Sequence, residues 1–197
     1  MKVLVIPEDF RKDQYVLKPI VQAMLASLGQ PNSIVRVCLD PLLGGVHQAT
    51  RWDRIAEILE LYAGMIDLFL LCIDRDGDPG RRTALDRIEA RAAATLPQGR
   101  LLLTEHAWQE LEVWVLAGHL LQKGWVWKDI RAERDPKERY YLPFAKSRGL
   151  HQTQDEGRGT LSREAAQNYR RLKQRCPEDI GALHAKIEAW LASRRTR

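Results

Sequence analysis

"LFLLCIDRDGDPGR" (68–81) is the stretch on which the reading of this chain turns. Its apolar run is broken by no polar residue until Asp74, as expected of a strand covered on both faces of a sheet. Three acids then follow at alternate positions, Asp74, Asp76 and Asp78, with glycine and proline between and behind them. Only Arg75 and the Arg81–Arg82 pair offset their mutual repulsion within the stretch. D-G-D-P is good turn chemistry in its own right, and for Asp78 a solvated turn is the better reading. Asp74 and Asp76 would point to one side of an extended segment, which suits a shared cation.

Working outward, short apolar runs alternate with amphipathic segments. Strands are expected over 2–6, 33–39, 67–74 and 100–105, and helices over 14–29, 51–65, 83–96 and 107–121. Pro19 predicts that the first helix starts near it or bends there, and "LLGGVHQ" (42–48) reads as a glycine-bearing loop. This β-α alternation predicts an α/β fold, a mainly parallel four-stranded sheet flanked by helices. Such sheets bind ligands beyond the carboxyl ends of their strands. Glu8 and Asp9, then Asp74, Asp76 and Asp78, then Glu105 fall at those ends.

After about residue 123 the pattern changes. Residues 126–161 are polar, basic and rich in turn formers, and read as a long loop. Residues 162–176 read as a basic helix and 177–195 as a last helix opened by Pro177, Glu178 and Asp179. The expected organisation is an α/β domain over 1–122 and a basic loop with a helical C-terminal extension over 123–197, packed on the same domain. Charge divides similarly: 1–122 hold thirteen Lys and Arg against sixteen Asp and Glu, and 123–197 hold eighteen against ten, which gives the net +5. An acidic front and a basic back suit a protein that binds a cation with one part and a polyanion with the other.

The length of 197 residues and 45% hydrophobic content allow a substantial core. The longest apolar run is too short for a membrane span, and five apolar residues after Met1–Lys2 are too few for a signal peptide. Cys38, Cys72 and Cys176 are far apart with no C-x-x-C pair, so a zinc site is not expected and a cytoplasmic, reducing location is.

Carboxylates gathered at adjacent strand ends cannot all stay ionised unless a cation neutralises them, and oxygen donors without histidine or thiolate suit Mg²⁺ or Mn²⁺. An EF-hand is excluded: counted from Asp74, its sixth and twelfth positions are Pro79 and Leu85. "IDRDGD" also resembles the nucleophile motif of haloacid-dehalogenase-like phosphatases. That motif belongs on a first strand, and the paired aspartates that follow it there are missing from this chain.

A glutamate after strand one, a D-x-D after strand three and a βαβα core resemble the Toprim domain of topoisomerases, primases and OLD-family nucleases. "QELEVWVLAG" (109–118) is similar to the E-x-W helix of small stand-alone Toprim-like proteins, including the RloB type, and "YLPF", "GRGTL" and "RCPED" are similar to a related bacterial family. Asp9 departs from the glycine usual after the strand-one glutamate, and the next acid, Asp13, comes five residues after Glu8 rather than four.

The resemblance implies that Glu8, Asp74, Asp76 and Glu112 hold Mg²⁺ or Mn²⁺ and form the catalytic set for phosphodiester hydrolysis of DNA or RNA. Glu110 and Glu112 cannot share a helix face, and the motif favours Glu112. Lys146 is the candidate for stabilising charge on the scissile phosphate, with Arg148 beside it; both read equally well as solvated cations. Arg163, Arg170, Arg171, Lys173 and Arg175 could hold phosphates without reading sequence. Tyr140, Tyr141 and Trp114 read as structural. The implied role is a nuclease, with a part in antiviral defence beside an ATPase. Expected partners are nucleic acid, that ATPase and a second copy of the chain, with no membrane. The alternatives are a non-catalytic Toprim-like subunit and the phosphatase.

Overall fold

The computed structural model describes residues 1–195. Four strands, β1 (Lys2–Pro7), β2 (Ile34–Val37), β3 (Leu68–Asp74) and β4 (Leu101–Ala107), form one all-parallel sheet in the order β2-β1-β3-β4. The central strands β1 and β3 are buried along nearly their whole length, which explains their unbroken apolar runs. β1 pairs directly with β3, Pro7 standing opposite Cys72, so the chain leaves both strands at neighbouring points of one rim.

Ten helices flank the sheet among the described residues. α1 (Phe10–Ser27) buries Val16, Leu17, Ile20, Val21, Met24 and Leu25 and stops before Gly29, whose φ of +74° requires glycine. It starts well ahead of Pro19, so the expected start near the proline does not hold. Asp9 caps it, its Oδ1 accepting the Arg11 N–H at 3.0 Å, and the six buried residues outweigh the one hydrogen bond that an interior proline removes. The glycine loop runs into the single turn α2 (Val46–Ala49). α3 (Trp52–Tyr62) and α4 (Arg81–Thr95) follow as their periodicity predicts.

α5 (Glu112–Gly118) is half as long as expected. Residues before it are held elsewhere: Gln109, at φ +76°, accepts the N–H groups of Arg75 and Asp76 on its carbonyl and that of Gly77 on its side chain. The link from β4 to α5 thereby clamps the D-x-D loop instead of opening a helix.

The expected long loop over 126–161 is largely helical. It contains α6 (Trp127–Ala132), a wide helical turn at Lys137–Tyr141, α7 (Leu142–Ser147) and the start of α8 (Arg158–Gln167). These pieces are only one or two turns long, so their buried residues, among them Ile130, Tyr141, Phe144 and Ala145, set up no readable period. The expected basic helix divides at Asn168 into α8 and α9 (Tyr169–Arg175); another wide turn, Pro177–Gly181, leads to α10 (Ala182–Arg195).

Two cores cover the two faces of the sheet. Leu4, Ile6, Phe69, Leu71 and Ile73 face α3 and α4, while Val3, Val5, Leu68, Leu70 and Cys72 join a larger core with α1, α5 and the C-terminal helices. Three features tie that second layer together. Asp179, 1% exposed, accepts the Trp108 N–H (3.0 Å), the Trp114 indole N–H (2.9 Å) and an Arg131 N–H (2.9 Å) on Oδ2, and the Ile180 N–H on Oδ1. Arg171 and Arg175 donate to the carbonyls of Ala117, Gly118 and His119 at the end of α5. Gly118 meets α8 so closely that a Cβ there would lie 2.4 Å from the Ala165 Cα. All three cysteines are free and buried. Among the described residues no helix is long and apolar enough to cross a membrane.

Candidate functional site

Four carboxylates lie near the points where β1 and β3 end. Glu8 follows β1 and accepts the Asp74 N–H on Oε2 at 3.3 Å. Asp13, in the first turn of α1, accepts the Asp9 N–H at 3.0 Å, which aims it back at the strand ends. Asp74 closes β3, and its Oδ1 accepts the Leu111 N–H at 2.8 Å at the entrance to α5, where the helix dipole favours negative charge. Glu112 is the first residue of α5 and is buried against Arg158.

The electrostatics mark these groups as neighbours. Burial pushes Glu8 from its ordinary 4.5 up to about 7, the Asp74 N–H opposes this, and the Asp76 charge adds to it. Burial, opposed by the Asp9 N–H and reinforced by Glu8 and Glu112, lifts Asp13 from 3.8 to about 7. Asp74 is pushed well above the carboxylate range by burial and by the charges of Glu112, Glu8 and Asp13.

Asp76 stands differently from the expectation. β3 ends at Asp74 and Asp76 has φ +53°, so strand alternation does not carry the two acids to one side. Its half-exposed carboxylate lies 3.7 Å from Arg81, although its charge still acts on Glu8. Asp78 takes the Gly80 N–H and is a turn residue. Glu105 lies inside β4, not at its end, paired with Arg82 at 3.1 Å. Glu110 precedes α5 and accepts the Lys137 N–H at 2.9 Å.

Lys146 is exposed near the end of α7, and Arg148 is paired with Glu164 at 3.0 Å. The lysine beside the acids is Lys137. Its burial works against the charge, yet Glu112, Glu138 and Glu110 hold its ammonium above the ordinary lysine range. Asp13, Lys137 and Arg158 are thus the residues that sequence reasoning left out of the candidate set. Of the basic residues assigned to phosphate binding, Arg171 and Arg175 are used in capping α5.

The donor chemistry fits a hard divalent cation: carboxylates alone, partly buried and mutually repelling. Among the described residues no three acidic, histidine or cysteine side chains already stand together as a ligand group, so side chains would have to rotate inward to form one. Beside Glu8 lies a groove of about 700 Å³, lined by Phe10, Arg11, Leu42, Leu43 and the Gly44–Gly45 pair.

A pH effect follows. Folded Glu8 and Asp13 hold protons that the unfolded chain has released, so their contribution to stability is full below about pH 4 and lost as pH rises through 7. One pKa unit is worth about 1.4 kcal/mol, so with both carboxyls carried from near 4 to about 7, urea unfolding in EDTA should show a loss of several kcal/mol across this range. A Glu8→Gln/Asp13→Asn double variant should flatten the profile; an unchanged slope would refute the assignment.

Comparison with known protein families, with characterised proteins and with solved structures returns no match.

Proposed function

We propose that this chain is a Toprim-type, Mg²⁺- or Mn²⁺-dependent nuclease that hydrolyses phosphodiesters of DNA or RNA. The observation that carries the reading is the approach of Glu8, Asp13, Asp74 and Glu112 to one carboxyl rim of a parallel sheet, where the Asp74 backbone N–H donates to Glu8 and the Leu111 N–H beside Glu112 donates to Asp74. Glu8, Asp13, Asp74 and Glu112 would hold the ion, with Asp76 at the rim. When bound, such an ion polarises a phosphodiester and lowers the pKa of water.

The chain's own residues have distinct tasks in this scheme. Lys137 offers positive charge beside the acids for the non-bridging phosphate oxygens, and Lys146, more distant and exposed, would contact the flanking backbone. The groove beside Glu8 gives a nucleotide access, with Phe10 and Leu42 as apolar walls. Three buried free thiols suit a reducing cytoplasm. A defence role beside an ATPase belongs to the same proposal.

The test is cleavage of single- and double-stranded DNA and of RNA in Mg²⁺ or Mn²⁺. Glu8→Gln and Asp74→Asn should reduce cleavage to background, and Asp76→Asn should reduce it less. A second reading, a non-catalytic subunit that binds nucleic acid or an ATPase, draws support from the Arg158 guanidinium that already neutralises Glu112. Tight nucleic-acid binding that persists in both variants, without cleavage in the wild type, would favour it. Turnover of a phosphomonoester with phosphate transferred to Asp74 would replace both readings with the phosphatase.

A further inference from the structure

Arg158 is 2% exposed, yet it is a guanidinium. Burying such a group is costly, and apolar packing of the same volume would stabilise the fold as well. The surroundings show an unusual provision for it. A Cβ on Gly157, at φ +81°, would lie 2.8 Å from the Leu150 Cβ, and one on Gly159 would lie 2.7 Å from Asp155 Oδ2. The G-R-G sequence thus lets the arginine backbone sink into the entrance of α8.

Its donors are distributed in one pattern. Nε, at 3.0 Å, and Nη2 both go to Oε1 of Glu112, while Nη1 goes to Glu156 and to the Asp155 carbonyl at 3.2 Å. Lys12 donates to the same Glu156 oxygen at 3.1 Å, and the Tyr141 ring lies 5.3 Å from the guanidinium carbon. The fork is fixed from several directions and grips a single oxygen of Glu112. Among the described residues no hydrogen bond is made to the other oxygen, Oε2, and it is not one of the buried orphan atoms, so it keeps access to solvent.

We propose that Arg158 is a positioning residue of the acidic site: by holding Oε1 it fixes the Glu112 side chain and leaves Oε2 as a one-oxygen ligand for a divalent cation. This inference rests on the metal-site reading above. It assigns the arginine a role that a purely structural ion pair would not have, because removing it should change metal affinity through Glu112 and through no other ligand.

The experiment is isothermal titration of the full chain with MnCl₂, without nucleic acid, with folding checked by circular dichroism. Arg158→Met should weaken Mn²⁺ binding about 10- to 100-fold, the range for loss of a group that orients a ligand. Arg158→Lys should recover part of this, since it keeps the charge but not the fork. Glu112→Gln should also weaken binding, and adding Arg158→Met to it should cost nothing more. If Arg158→Met fails to fold, Arg158→Lys and the double variant Arg158→Met/Glu156→Gln carry the same comparison. Wild-type affinity in a folded Arg158 variant, or independent losses in the Glu112/Arg158 double variant, would overturn the proposal while leaving a metal site intact. A folded wild type that takes up no Mn²⁺ would overturn the metal reading and this inference together.

Discussion

Replacing Asp179 with alanine should cost about 3–5 kcal/mol of stability, the range for removing one partner of a buried ion pair. The side chain has little access to water and serves four donors from four places: the end of β4, α5, α6 and its own turn. Alanine would leave the Trp114 indole N–H without an acceptor inside the core and would deprive Arg131 of one of its two acidic partners. Asp179→Asn keeps the shape and can still accept with one oxygen, so it should lose roughly half as much. Urea unfolding followed by tryptophan fluorescence measures both. A loss under 1 kcal/mol in Asp179→Ala would show that the C-terminal helices are held by apolar contact alone.

Gly118→Ala should be comparably damaging, at about 3 kcal/mol or more, because overpacking here meets backbone and not a movable side chain. The added methyl would stand 2.4 Å from the Ala165 Cα and 2.8 Å from its carbonyl oxygen, so α5 and α8 must separate. These helices carry Glu112 and Arg158, and their separation should loosen that pair as well. Ala165→Gly removes the contact with the Cβ of residue 165 but not the one with its Cα. The double variant should therefore regain only part of the loss. Thermal unfolding of the single and double variants checks this; a wild-type Tm in Gly118→Ala would refute the close approach.

Much of the sheet was legible because its determinants are local. Strands with both faces covered read as unbroken apolar runs, and α1, α3 and α4 are long enough to repeat a buried stripe. Glu8 and Asp74 could be placed at strand ends for the same reason. The rest depended on tertiary partners. Asp13 lay one residue off the expected spacing and outside the expected helix; it is the earlier start of α1, at Phe10, that puts it in a first helical turn near Asp74. Lys137 and Lys146 were indistinguishable as lysines in a basic segment; a wide helical turn invisible to periodicity decides which lies near the acids. Arg158 was seen only as part of "GRGTL", although an arginine squeezed between two glycines at a helix start was a usable hint of close packing. α5 was overextended because nothing local says that Gln109 would serve the loop after β3.

That last arrangement has a consequence for engineering. The bend at Arg75–Gly77 is templated by a glutamine more than thirty positions downstream, so its shape is not written in its own residues. The D-x-D-G-D segment grafted alone onto another parallel sheet would arrive as a floppy acidic hairpin; a portable version needs the Trp108–Leu111 crossover brought along with it.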